Sequence, residues 1–378
     1  MRFGDIVGNA DAKRALSGMI DRGSIPHAIM FHENDGGGAL PLALAFLQYL
    51  YCRQRAEGDS CGTCSPCGKI SKFIHPDIYF VYPVASAKSS EKPTSEMFVQ
   101  EWRELVCANP YFLESELYEA LGLEAKATRI AVQEARVILD RLSLSAVERG
   151  YRTIVVYLPE KMNAEAANRL LKSIEEPPEL TQFLFITHAP EKVLPTIMSR
   201  CEFIRVLPLS VEEITGILED KFERSPEDAR AAAISSGGSV GRALAYSSAN
   251  QNIESEQSLF SELMDALVKG NLLEALSVGD SIAALPSREK TQSFCRYASD
   301  ALRKVFFVQQ GLPQLAPLTP REEEFIPSLA GMLRKSFSRE ALPLIDRARM
   351  LVERNVNAKI LFCDLVDKLY LLIWKTQK

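Results

Sequence analysis

Apolar residues return along this chain in two rhythms. From Asn9 to Arg22 they recur at three- and four-residue intervals, which predicts an amphipathic helix, and Val132 to Leu144 predicts a second helix. Other segments are short and continuously apolar. Pro26 to Phe31, Thr153 to Leu158, Phe183 to Thr187 and Phe203 to Val206 predict buried strands, and His75 to Pro83 predicts a further one. Leu42, Ala43, Ala45, Phe46, Tyr49 and Leu50 mark the buried face of a helix over 41–51. Pro41 is tolerated there because the first helical turn has no N–H partner to lose. Asn163 predicts the N-cap of a helix presenting Ala167, Leu170, Leu171 and Ile174, which Pro177 and Pro178 terminate. Strands that alternate with helices predict a doubly wound parallel α/β sheet.

The rhythm changes twice. Residues 84–127 read as an insertion: a loop-like Ala85 to Ser95, then helical material around Glu96 to Ala108 and Glu114 to Leu121. After Pro208 strand signals cease. Helices are predicted over 211–221, 226–235 and 240–247, and helical periodicity continues from Asn252 to the C-terminus. A chain of 378 residues exceeds one ordinary core. The expected domains are an α/β core over 1–208, a small helical unit over 209–250 and a helical domain over 251–378.

Composition narrows the class. Hydrophobic residues make up 47% and charged residues 25%, as in globular proteins. A net charge of −5 argues against a chain-wide nucleic-acid surface. No run of about 18 uncharged apolar residues predicts a membrane helix, and the start of the chain lacks a signal-peptide core, so a cytoplasmic location is expected. Four of the eight cysteines cluster as Cys52-x₈-Cys61-x₂-Cys64-x₂-Cys67, with the last three placed in a loop after the helix that ends near Cys52. Such spacing suits a tetrahedral structural Zn²⁺ site, with an iron–sulfur cluster as the rival.

The chemistry turns on residues 33–41, Glu-Asn-Asp-Gly-Gly-Gly-Ala-Leu-Pro. A phosphate-binding loop reads G-x-x-x-x-G-K-[ST], with lysine reaching the β/γ-phosphates and a hydroxyl on Mg²⁺. Here Gly36, Gly37 and Gly38 keep the turn, but Ala39 replaces the lysine, Leu40 the hydroxyl and Glu33 the first glycine. No functional ATP site is expected.

Several runs then converge. Asn168 to Pro178 (NRLLKSIEEPP), Leu194 to Cys201 (LPTIMSRC), Gly237 to Leu244 (GGSVGRAL) and Phe3 to Asn9 (FGDIVGN) resemble, in the same order, motifs of AAA+ clamp-loader subunits of bacterial DNA polymerase III. The resemblance covers residues 1–245. It implies an AAA+ (P-loop NTPase-like) parallel-sheet core, a small helical lid and a C-terminal helical collar domain that holds subunits together. Aligned on Lys161 and Met162, it places Tyr157 and Leu158 where an active member carries the Mg²⁺-positioning Asp and the water-orienting Glu.

The resemblance implies a non-hydrolysing member of a hetero-oligomer with gamma/tau ATPase and delta subunits, which loads the sliding clamp onto primed DNA in the replisome. Arg200 of Ser-Arg-Cys would act in trans as an arginine finger in a neighbour's ATP site. The family also carries zinc at positions matching Cys52, Cys61, Cys64 and Cys67. Arg242 matches the sensor-2 arginine and is read equally as a core–lid salt bridge. Thr187 and His188, at sensor 1, are read as structural, and Lys161 and Lys172 more as solvated lysines than as DNA contacts. Two alternatives stay open: an active ATPase subunit of the same assembly, and a stand-alone zinc-containing nucleic-acid-binding protein. The role of 84–127 is left open.

Overall fold

The computed structural model describes residues 1–56, 58–85, 93–124, 126–148, 150–248, 250–319, 322–354 and 356–374; within 247–255 and at Glu289 it describes the backbone alone. The chain divides into two compact units, Met1–Leu244 and Ala245–Lys378.

The first unit opens with α1 (Ala10–Asp21), β1 (Ala28–His32), α2 (Ala39–Tyr51), α3 (Ser65–Ser71) and β2 (Ile78–Val81). The insertion supplies α4 (Val99–Ala108) and α5 (Glu114–Ala120). Then follow α6 (Val132–Ser143), β3 (Arg152–Tyr157), α7 (Ala164–Glu175), β4 (Thr181–Thr187), α8 (Pro195–Met198) and β5 (Glu202–Arg205). Helices α9 (Val211–Phe222), α10 (Pro226–Ser235) and α11 (Val240–Ser248) come last. Among the described residues the strands form one sheet in the order β2-β3-β4-β1-β5, and neighbouring strands pair in parallel.

The period-two alternation of side chains divides the strands between two cores. Ile29, Phe31, Val155, Tyr157, Leu184 and Ile186 face α1, α2 and the insertion, in a core that includes Leu47, Trp102, Phe112 and Leu117. Ala28, Met30, Ile154, Val156, Phe183 and Phe185 face α6 and α7 through Ile138, Leu170 and Ile174. The insertion is therefore part of the core: Trp102 is buried and stacks on Tyr82 at 4.4 Å between ring centroids.

Local expectations meet two adjustments. Asn163 caps α7 as predicted, its side chain accepting from the Ala166 N–H at 2.8 Å. The strand expected over 75–83 spans Ile78–Val81, because Pro76 and Pro83 cannot donate to a ladder. The loop expected for the last three cysteines is instead partly helical: Cys64 is the N-cap of α3 and Cys67 lies inside it, with Pro66 in a first turn that needs no N–H from it. Most of the loop-like segment, 86–92, lies outside the described residues.

The second unit is helical throughout: α12 (Asn250–Val268), α13 (Leu272–Ala283), α14 (Arg288–Gln309), α15 (Glu322–Met332), α16 (Phe337–Glu353) and α17 (Ala358–Trp374). Its core gathers Phe260, Phe294, Leu302, Phe337 and Phe362. Within it Lys304 Nζ lies 2.9 Å from Glu322 Oε2 and 3.0 Å from Asp300 Oδ2. The Thr319 N–H and hydroxyl also donate to Glu322, so this buried carboxylate is satisfied on several sides. Among the described residues no helix is long and apolar enough to cross a membrane.

Candidate functional site

The chain leaves β1 at His32 and enters α2 at Ala39, so residues 33–38 turn over the C-terminal edge of the sheet. Gly36 and Gly38 adopt φ of +74° and +113°, conformations that side chains with a Cβ resist. In a phosphate-binding turn the first N–H groups of the following helix face the anion. Here the Ala39 N–H donates to Oε2 of Glu33 at 2.6 Å, and Glu33 is 4% exposed. The helix N-terminus thus holds a carboxylate of its own chain. The Ala39 and Leu40 side chains are both buried in the core on this face.

A histidine sits opposite. His188 follows β4 and places Nε2 3.5 Å from Glu33 Oε1 and Nδ1 3.6 Å from Asp35 Oδ1. Burial alone would lower its pKa, but contact with Glu33 and the charges of Asp35 and Glu160 outweigh this and raise it to about 9. Burial pushes the Asp35 carboxyl above its ordinary value, against the pull of His188. Glu160 fixes the strand end, accepting from the Thr187 hydroxyl at 2.8 Å and the His188 N–H at 2.9 Å.

At the exit of β3, Tyr157 and Leu158 are both buried. The Tyr157 hydroxyl lies 3.5 Å from His188 Nε2, and burial holds the phenol far above its usual pKa, so it remains neutral. Leu158 adopts φ of +59°, unusual for leucine, while its N–H reaches the Ile186 carbonyl at 2.8 Å. Neither side chain offers an anionic oxygen to a metal.

The four sulfurs of Cys52, Cys61, Cys64 and Cys67 all lie within 4.8 Å of one another and could hold a metal ion. None of these cysteines is in a disulfide. Cys52 Sγ and Cys61 Sγ are 3.6 Å apart. Four thiolates around one zinc at about 2.3 Å would be spaced about 3.8 Å, so the donor set fits such an ion. The N–H groups of Gln54 and Cys61 point at Cys52 Sγ from 3.4 and 3.3 Å, and that of Cys64 at Cys61 Sγ from 3.3 Å. Hydrogen bonds from the Thr63 and Cys64 backbone lower the Cys61 thiol to about 6. Burial raises Cys52 and Cys67.

Arg200 stands elsewhere. It precedes β5, whose Glu202 pairs with Ile29 near the beginning of β1. Parallel pairing therefore puts Arg200 at the N-terminal edge of the sheet, about 15 Å or more along the strands from the glycine turn. Its Nη1 donates to the Thr196 carbonyl at 2.6 Å and the Ser199 hydroxyl at 3.2 Å, and Nη2 pairs with Glu175 at the end of α7. The side chain is 30% exposed.

Residues 8–210 match the family model described as DNA polymerase III, delta subunit. The chain belongs to that family. Its members are clamp-loader subunits, and the parallel sheet described above lies within the matched residues. Among curated relatives, DNA polymerase III subunit delta' of Yersinia pestis is 32% identical over 190 residues, 50% of this chain and 44% of that protein. DNA polymerase III subunit tau of Escherichia coli (strain K12) is 25% identical over 217 residues, 57% of this chain and 27% of that protein. The chain thus spans about half the length, or less, of these relatives. A solved DNA polymerase III gamma subunit-related protein from Thermotoga maritima aligns at a TM-score of 0.37 and 16% identity, over 95% of this chain and 99% of that one.

The structure brings Glu33, Ala39 and Tyr157 together around the glycine turn and keeps Arg200 and the cysteines apart from it. Of the remaining candidates, Lys161 is engaged by Glu114 Oε1 at 2.8 Å, while Lys172 and Arg242 are exposed. Sequence reading left His188 as merely structural, although its position beside Thr187 placed it at the strand end. It did not find Glu175 as the partner of Arg200; nothing local to those residues signals the pair.

Proposed function

We propose that this chain is a non-hydrolysing, delta-prime-like stator subunit of the DNA polymerase III clamp loader, acting in the cytoplasm as part of the replisome. The observation that carries the reading is the Glu33 carboxylate on the Ala39 N–H, at the helix N-terminus that a nucleotide's phosphates would need. Ala39, Leu40, Tyr157 and Leu158 remove the lysine, the hydroxyl and both acidic groups of hydrolysis. The chain would work with gamma/tau and delta subunits to place the sliding clamp on primed DNA.

Arg200 would serve a neighbour. Its distance from its own glycine turn and the partial exposure of its guanidinium support service to another subunit's phosphates. Zinc on Cys52, Cys61, Cys64 and Cys67 would tie the end of α2 to α3. With four protein ligands it would have no open position and would be structural. Metal analysis should find one zinc per chain; iron with visible absorption would assign a cluster instead.

The test is clamp- and DNA-stimulated ATP hydrolysis by the ATPase subunits, reconstituted with the intact chain or with Arg200→Ala. Support for hydrolysis by the intact chain, and its loss in a variant that still assembles, is the expected result. Equal rates would remove the finger assignment. Hydrolysis by this chain alone would replace the stator reading with that of an active ATPase.

A further inference from the structure

The insertion returns to the glycine turn. After α4, residues Tyr111 to Glu114 cross directly over it. The Tyr111 ring lies 3.4 Å from where a Cβ on Gly38 would stand, and Leu113 Cδ2 lies 2.9 Å from where one on Gly36 would stand. The Glu114 N–H donates to Asp35 Oδ1 at 2.9 Å. On the far side the same segment meets the entry to α11: the Tyr111 carbonyl would be 2.1 Å from a Cβ on Gly241. The Gly241 N–H reaches the Gly36 carbonyl at 3.0 Å, and the Ser239 hydroxyl reaches the Asp35 carbonyl at 2.7 Å. Phe112 packs on Tyr157 at 5.4 Å between centroids, and Glu114 pairs with Lys161 beyond the exit of β3. Tyr111 and Phe112 are both buried.

A nucleotide on such a turn lies against the glycine backbone, with its phosphates on the helix N-terminus. Here that layer is filled. Contacts this short leave no room for a layer of water, still less for a nucleoside, between the turn and α11. Charge is also balanced internally, because His188 faces the Glu33 and Asp35 carboxylates.

We propose that the insertion is an intramolecular occupant of the former nucleotide pocket: Tyr111 to Glu114 take the layer a nucleotide would take and join the glycine turn to the segment that begins α11. This rests on the non-hydrolysing reading and adds a second barrier to it. The motif losses remove affinity for phosphate, whereas the insertion removes the space. It also joins core to helical segment without any ligand, which suits a subunit whose shape does not follow a nucleotide cycle.

The experiment separates the two barriers. Binding of N-methylanthraniloyl-ADP with Mg²⁺ is measured by fluorescence anisotropy on three full-length forms. These are the intact chain, a motif-restored form (Glu33→Gly, Ala39→Lys, Leu40→Thr), and the restored form opened with Tyr111→Gly and Leu113→Gly. The expected order is no binding to the intact chain, and binding to the restored form about 100-fold or more weaker than to the opened form, because the open state is rare. Equal binding by the restored and opened forms would overturn the proposal, as would two folded forms that both fail to bind. Binding by the intact chain would likewise overturn it, whereas hydrolysis of ATP by the intact chain alone would strike at the non-hydrolysing reading. If the opened form does not fold, hydrogen exchange on the intact chain decides. Slow exchange of the Ala39, Glu114 and Gly241 amides with a common opening rate supports the occupant; fast exchange at Glu114 and Gly241 overturns it.

Discussion

The two edges of one sheet can be compared directly, because β1 and β5 lie side by side and run the same way. At the C-terminal edge the glycine turn keeps its bend, while Glu33 and His188 are buried against each other with the partly exposed Asp35 beside them. At the N-terminal edge Arg200 keeps its motif and remains partly exposed, held by one exposed carboxylate, a carbonyl and a hydroxyl. An exposed ion pair is worth ~1 kcal/mol or less, so a phosphate can draw the guanidinium away. A buried carboxylate on a helix N-terminus beside an imidazolium has no such freedom, because separating them strands a charge in low dielectric. On the proposed function, backbone shape and chemistry have parted at one edge and stayed together at the other. On that same proposed function, what the chain offers an assembly lies on the side away from its own glycine turn.

The comparison is broken most directly at Arg200. Replacing an arginine finger costs roughly 10³–10⁵ in rate, so Arg200→Ala should reduce the partner subunits' hydrolysis by about that range with an unchanged melting temperature. A melting temperature lowered by many degrees would make the residue structural. At the covered edge, Trp102→Ala should destabilise the chain by about 3–5 kcal/mol, read by urea unfolding, because it opens a cavity beneath Tyr82, Phe112 and Tyr157. A loss below about 1 kcal/mol would mean that the insertion packs loosely.

A smaller effect is expected from His188, which faces Glu33, Asp35, Glu160 and the Tyr157 hydroxyl, with Glu114 and Lys161 close by. Its pKa is raised in the folded chain, from 6.5 to about 9. The stability it contributes is therefore complete below pH ~6.5 and is lost as pH rises towards ~9, with an upper bound of about 3 kcal/mol. Urea unfolding of the chain should weaken over that window, and His188→Gln should flatten the dependence. An unchanged profile would mean that the imidazole is neutral. The smallest effect belongs to Glu175→Gln. It should shift stability by less than ~1 kcal/mol, since both partners are partly exposed. A larger loss would show that Arg200 is fixed in place and unable to serve a neighbour.

Much of this was legible from local pattern. Continuous apolar runs located the strands because a sheet covered on both faces needs them, and Asn163 announced α7 because a cap is satisfied within three residues. The cysteine spacing marked a cluster of sulfurs that could hold a metal ion for the same reason: most of its geometry is closed by a short stretch of chain. Local pattern fell short at α3, where a seven-residue helix is too brief for periodicity to register.

What only the tertiary structure decided was the fate of the glycine turn. Ala39 and Leu40 stand in the sequence where a phosphate-binding loop has its lysine and hydroxyl, and the family resemblance implied the same kind of loss at Tyr157 and Leu158. They said nothing about what stands in the space instead. Glu114 and Asp35 are 79 residues apart, and Ser239 and Asp35 are 204 apart. Such contacts leave no periodic trace, because they are set by how the whole sheet and its insertion pack rather than by any neighbour in the chain. The same holds for His188, whose charge depends on carboxylates brought to it by another strand's turn.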